Sequence, residues 1–318
     1  MKKSVIVYIV MTAFFFSTMN VALKIAGADI DPLELTYIRF LIGGLILLPL
    51  GIMELRKNHV RLNLRDLGYL LILGIICIPV SMLFFQYSCN HMNASTSAVL
   101  FCINPLFTML FACTMSNEIF TSRRLVAVVV SLAGFVFMVQ PWNMQAGNTL
   151  SGALSMLLAA IFFSLYSVLG KKNIKRIGTF AQTSLAFIFG SLVLMVIVMV
   201  TGRPLVAGVA DNLPAVLYVG IAVTGIGYLA YFLAIKNSDA TTASIAFFLK
   251  PAIAPIVAVI VMGDVLLWNS FVGIGLILVA SFLNMRESKR CAELKAKGEP
   301  VKALIGNDIN SKEEKGVA

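Results

Sequence analysis

Three cations stand inside apolar stretches of this 318-residue chain: Lys24, Arg39 and Lys250. In hydrocarbon a charged side chain costs roughly 2.5–3.5 kcal/mol even on lenient insertion scales, so it faces a cavity or a partner. Lys250 lies ten residues into an apolar run over 240–263. At about 1.5 Å per helical residue that is roughly 15 Å deep, close to the middle of a bilayer. Pro251 follows at once and Pro255 comes four residues later; a proline removes a backbone hydrogen bond and is expected to open the helix. Carbonyls freed at that depth are tolerated where they are buried in protein or line water. Lys250 therefore either meets the anionic group of a substrate or donates to those carbonyls and only holds the kink. Arg39 lies about 10 Å from the outer end of its span by the same rise, with Thr36 and Gly43 on its face (i, i+3, i+7). It is either an anion-binding or gating cation, or the structural partner of Glu34 or of helix-end carbonyls.

Uncharged polar residues repeat the pattern. Ser17, Asn20 and Lys24 form a stripe at i, i+3, i+7, and so do Ser164, Ser167 and Lys171. Each stripe is costly against lipid and natural against a cavity; the alternative is interhelical hydrogen bonding, worth about 0.6 kcal/mol on average. Asn104 precedes Pro105 as Lys250 precedes Pro251. Thr224, Tyr228 and Tyr231 share a face at i, i+4, i+7, either as an aromatic wall for an organic solute or as packing. Glu118 and Asp264 fall at span ends, where solvated or capping roles are the default. No carboxylate lies near the centre of any span, and no phosphate-binding loop or metal-ligand cluster is present, so neither ATP, a metal nor another cofactor is expected. His59 and His91 fall in connections and read as solvated. Four of the five cysteines (Cys77, Cys89, Cys102, Cys113) read as membrane packing residues and Cys291 as a free cytoplasmic thiol.

These residues are positioned by ten apolar spans, at about 4–26, 32–54, 67–88, 93–115, 122–140, 150–170, 178–201, 213–235, 240–263 and 268–285. Each approaches the roughly 20 residues that cross a bilayer as a helix. Hydrophobic residues make up 59% of the chain and charged ones 13%, against roughly 25% charged in soluble domains, so lipid is the main solvent. The net charge of +10 would point to nucleic acid in a soluble protein. Here 21 of the 25 Lys and Arg lie at the termini and in the loops of one side, and only Arg203 in the loops of the other. By the positive-inside rule both termini are cytoplasmic, and no nucleic-acid partner is expected. The first span, interrupted by Ser17, Asn20 and Lys24, reads as a retained helix and not a cleaved signal peptide. The fifth and tenth spans lack central charge and carry small residues at packing intervals (Ala127, Ser131, Gly134; Gly273, Gly275, Ala280). They read as scaffold or homodimer contact.

The second five spans repeat the first. At an offset of 147, Phe15, Phe16, Ser17, Val21 and Lys24 meet Phe162, Phe163, Ser164, Val168 and Lys171, and Thr36, Phe40, Gly43 and Leu47 meet Thr183, Phe187, Gly190 and Leu194. At 146, Gly74 meets Gly220, and Ala94, Thr96, Phe101 and Pro105 meet Ala240, Thr242, Phe247 and Pro251. An odd number of spans per repeat makes the halves antiparallel across the membrane, as in alternating-access transporters. The reading is an all-α integral membrane protein of ten helices in two inverted repeats, residues 1–143 and 144–286, with 287–318 as a cytoplasmic disordered tail.

Five plus five spans, the Arg39-Phe40 pair, the prolines within the fourth and ninth spans and the acids that follow them resemble the EamA family of the drug/metabolite transporter superfamily. The resemblance covers residues 5–285, with two departures: Asp264 replaces the usual Glu, and Ala186 stands where the second repeat would carry Arg. It implies an inner-membrane secondary transporter that exports amino acids, metabolites or drugs. The cations without a central anion favour a carboxylate-bearing solute, held by Lys250, Asn104, Asn20, Ser17, Tyr228, Tyr231, Ser164, Ser167 and Arg39 in a cavity between spans 1, 3, 4, 6, 8 and 9. The rival is a non-transporting membrane protein: an enzyme, a receptor or an assembly factor.

Overall fold

Backbone N–H and C=O groups find no partners in hydrocarbon, so long apolar segments satisfy them internally as helices. The computed structural model describes residues 3–115, 121–144, 146–238, 243 and 246–296, and among them the regular structure is entirely helical. The helices are α1 (Lys3–Ala26), α2 (Pro32–Lys57), α3 (Leu64–Asn90), α4 (Ala94–Met115), α5 (Ser122–Val139), α6 (Leu150–Ile177), α7 (Thr179–Val200), α8 (Leu213–Asn237), α9 (Ala246–Met262) and α10 (Trp268–Ala296). Nine are long and apolar enough to cross a membrane; α9, with its apolar core at Leu249–Met262, is the shorter tenth. The repeat matches at Ala240 and Thr242, the acid Glu118, and residues 297–318 of the expected tail lie outside the described residues. α10 runs on past the expected span end, to Ala296.

Packing follows the repeat. α2 lies along α7, α5 along α10, and α4 against α9, each helix against its own counterpart. The remaining major contacts come in exchanged pairs: α1 on α8 and α6 on α3, α1 on α9 and α6 on α4, α2 on α8 and α7 on α3. A two-fold relation between the halves generates this pattern. It extends to single residues, since Gly43 abuts Gly220 while its mate Gly190 abuts Gly74. A Cβ on Gly190 would fall on the Gly74 backbone, so these helices approach as closely as only glycine allows. The small faces of α5 and α10 meet each other through Gly134 and Gly273, and thereby serve a contact inside the chain.

Two features depart from the proline reading. The fourth span does change geometry before Asn104-Pro105, through a 3-10 turn at Phe101–Ile103. The ninth does not break: α9 is continuous through Pro251 and Pro255. Interruptions occur instead as π-helical segments at equivalent places in the two repeats, Ile76–Met82 in α3 and Tyr218–Gly227 in α8. Pro79 lies in the first; in the second the Thr224 hydroxyl donates to Val219 O, five residues back.

Candidate functional site

The middle of the bundle is a closed aromatic cluster drawn from both repeats. Phe40 of α2 meets its repeat mate Phe187 of α7 edge to face at 4.8 Å, and Tyr228 lies 5.7 Å from Phe40 and 5.2 Å from Phe187. Phe16 and Phe163, also mates, both reach Tyr228, Tyr231 and Phe247. Phe101 joins Phe247 to Phe85. The Tyr228 hydroxyl donates to Sδ of Met82, its own counterpart 146 residues away. The α2 and α7 helices thus contribute rings to the centre beside the six spans expected to line it.

Two cations are sealed in this cluster. Arg39 and Lys250 are each 0% exposed. The Lys250 ammonium lies 5.1 Å from the Phe101 ring centre and 5.6 Å from that of Phe85, and Nζ has no hydrogen-bond partner. Arg39 lies over Phe40 at 4.4 Å, and none of its three side-chain nitrogens has a hydrogen-bond partner. Neither the Glu34 pair nor the carbonyl pair expected for Arg39 forms, and Lys250 does not hold a kink through freed carbonyls. Glu34 is five residues from Arg39, about 140° around the helix, whereas facing side chains lie three or four apart. Arg39 comes from the first repeat and Lys250 from the second, and each lies against rings of the one aromatic cluster.

Asn20 closes the group. Its amide donates to Ser97 Oγ at 3.0 Å and to Cys89 Sγ at 3.6 Å, while its Oδ1, also buried, accepts nothing. Among the described residues, the Arg39 and Lys250 donors and the Asn20 Oδ1 acceptor are thus buried without hydrogen-bond partners. Every carboxylate among the described residues lies toward a helix end or in a connection.

Ser17, Ser164, Ser167, Asn104 and Tyr231 are buried too, but their polar atoms are spent on the protein, while Lys24 and Asp264 are half-buried. Ser17 donates to Ala13 O, Ser167 to Phe163 O, and Ser164 to Ala160 O and Asn104 O. This back-bonding to the preceding turn is the usual fate of serine in an apolar helix. Asn104 donates to Ala160 O, which ties α4 to α6. Lys24 donates to Met92 O, and Asp264 accepts from Ser95 N–H and Oγ, capping α4. Tyr231 packs in the aromatic cluster beside Ser167. Cys291 is buried. Sequence reading passed over Cys89 as packing, and it passed over Glu54, which accepts from Phe180 N–H at the start of α7 and pairs with Lys236 at 2.7 Å. Only the position of Glu54 near a helix end hinted at that role.

The sequence model of the EamA-like transporter family matches residues 3–140 and 150–286. A Clostridium kluyveri protein described as an uncharacterized transporter is 36% identical over 302 residues, covering 93% of this chain and 97% of its own. Uncharacterized transporters of Archaeoglobus fulgidus (21% identical, 90% and 100% covered) and Bacillus subtilis (YyaM, 23%, 80% and 86%) also align. A solved crystal structure superposes with a TM-score of 0.67 over 91% of this chain and 99% of its own, at 18% identity, and supports the fold alone.

Proposed function

We propose that this chain, which belongs to the EamA-like transporter family, is a secondary transporter of the inner membrane that moves an anionic metabolite by alternating access between its two repeats. The observation that carries the reading is the pair Arg39 and Lys250, buried and unpartnered against rings of the same aromatic cluster. Charges left bare in a low dielectric are paid for by function: a substrate carboxylate supplies the missing negative charge. The free Asn20 Oδ1 adds an acceptor, so an amino-acid-like solute, with a carboxylate and an N–H donor, matches the inventory. The rings of Phe85, Phe101 and Tyr228 exclude water from it.

The geometry supports a simple cycle. Halves of residues 1–143 and 144–286 rock about the seam of α2 on α7, and the π-segments of α3 and α8 are the points where those helices bend. The solute enters from the cytoplasmic side, where the positive loops and both termini lie, and leaves outside. α5 and α10 stay at the periphery; a second copy would meet their outer faces, such as Val129 and Phe282, since the glycine seam is occupied.

Untargeted metabolite profiling of cells producing wild type or Lys250→Met tests this. An anionic or zwitterionic carboxylate should accumulate in the medium of wild-type cells alone. A difference confined to cations, or no difference at all, contradicts the proposal.

A further inference from the structure

The closed centre has a consequence for the empty carrier. A guanidinium stays charged at any working pH, and among the described residues Arg39 meets no counter-charge in this conformation: it has no ion pair and no hydrogen bond. Lys250, drawn from the other repeat, adds a second buried cation with no hydrogen-bond partner in the same aromatic cluster. In any conformation that admits water the two are solvated. Closing the bundle over them while empty strips that water and puts nothing in its place. On the lenient insertion scale each such charge disfavours the closed state by about two orders of magnitude. The phenyl rings recover part of this, and the halves are otherwise well packed through Gly43, Gly74, Gly190 and Gly220.

We infer that the chain is an obligate exchanger of anions. It crosses the closed state with an anion between Arg39 and Lys250 and is held back without one, so each outward passage is followed by the inward passage of a second anion. The inference rests on the anion-site reading above and goes beyond it, because net export through the same site would need the empty carrier to return. Arg39 sets the coupling: with a neutral side chain there, the unloaded bundle closes more readily and exchange gives way to net leak.

Purified full-length protein in liposomes, with the membrane potential clamped, separates the two modes. The probes are radiolabelled glutamate, succinate, benzoate, phosphate and chloride. Uptake is measured into vesicles preloaded with the same unlabelled anion and into vesicles without it. For a probe that moves, exchange should exceed net entry by at least about tenfold, a conservative share of the two orders of magnitude above. In Arg39→Gln net entry should rise above that of wild type while exchange falls, so that the ratio moves toward one; loss of both rates would overturn the coupling role of Arg39. Equal rates in wild type would overturn obligate exchange while leaving the anion site standing. Movement of none of the five in either mode would overturn the site reading and the exchange together. Should Arg39→Gln fail to fold, the wild-type ratio decides alone.

Discussion

Lys250→Met separates a binding cation from a kink-holding one, and its size can be worked out. Leaving the ammonium unpaired in the apolar interior costs roughly 2.5–3.5 kcal/mol. The rings of Phe101 and Phe85, at 5.1 and 5.6 Å, return about 1 kcal/mol each. Methionine keeps the length of the side chain, and its thioether gains about 0.3–1.5 kcal/mol against the same rings. The ligand-free variant should therefore be more stable than wild type by about 1–3 kcal/mol, against the usual direction for a buried substitution. At roughly 2–4 °C per kcal/mol, fluorescence-monitored unfolding in detergent resolves it. Anions that raise the midpoint of wild type should lose that effect in the variant, and transport should stop. A variant that unfolds earlier yet keeps wild-type transport would refute the reasoning, because the lysine would then be holding the fold and not the solute.

Other outcomes follow from the packing and the ends of the helices. Gly190→Leu puts a side chain onto the Gly74 backbone and should destabilise by about 1–3 kcal/mol or more, whereas Gly275→Ala, which meets nothing within 4 Å, should change the unfolding midpoint very little. Glu54→Gln weakens the cap on Phe180 N–H and Ala181 N–H and the pair with Lys236; a loss of about 1 kcal/mol in thermal unfolding is expected. Reporter fusions after residues 60, 145 and 290 should read inside, outside and inside, and a reversal at 145 would break the inverted repeat.

The fold was legible because its causes are local. Apolar runs of span length demand helices, and the Pro, Gly and Thr matches at offsets of 147 and 146 expose the repeat whose exchanged contacts organise the bundle. The site was legible in part. Lys250 and Arg39 announce themselves by their cost in lipid, but a sequence gives their depth and not their neighbours. That Arg39 and Glu34 do not pair, and that Lys250 lies against the Phe85 and Phe101 rings, are products of how α2, α3, α4 and α9 pack. The serine stripes misled for a related reason: a hydroxyl on the right face can turn back to its own helix. Proline was an uneven guide, marking a 3-10 turn before Pro105 and no break at Pro251. The π-segments leave no periodic signature, and the one in α8 contains no proline.

The central claim is that one anion is held jointly by Arg39 and Lys250. The most direct measurement is a density map of the full chain bound to the carboxylate that most raises its unfolding midpoint. A carboxylate between the Arg39 guanidinium and the Lys250 ammonium, with Asn20 Oδ1 beside it, is the predicted result. Density for the anion elsewhere, with both cations still bare or each paired to a protein carboxylate, would contradict it.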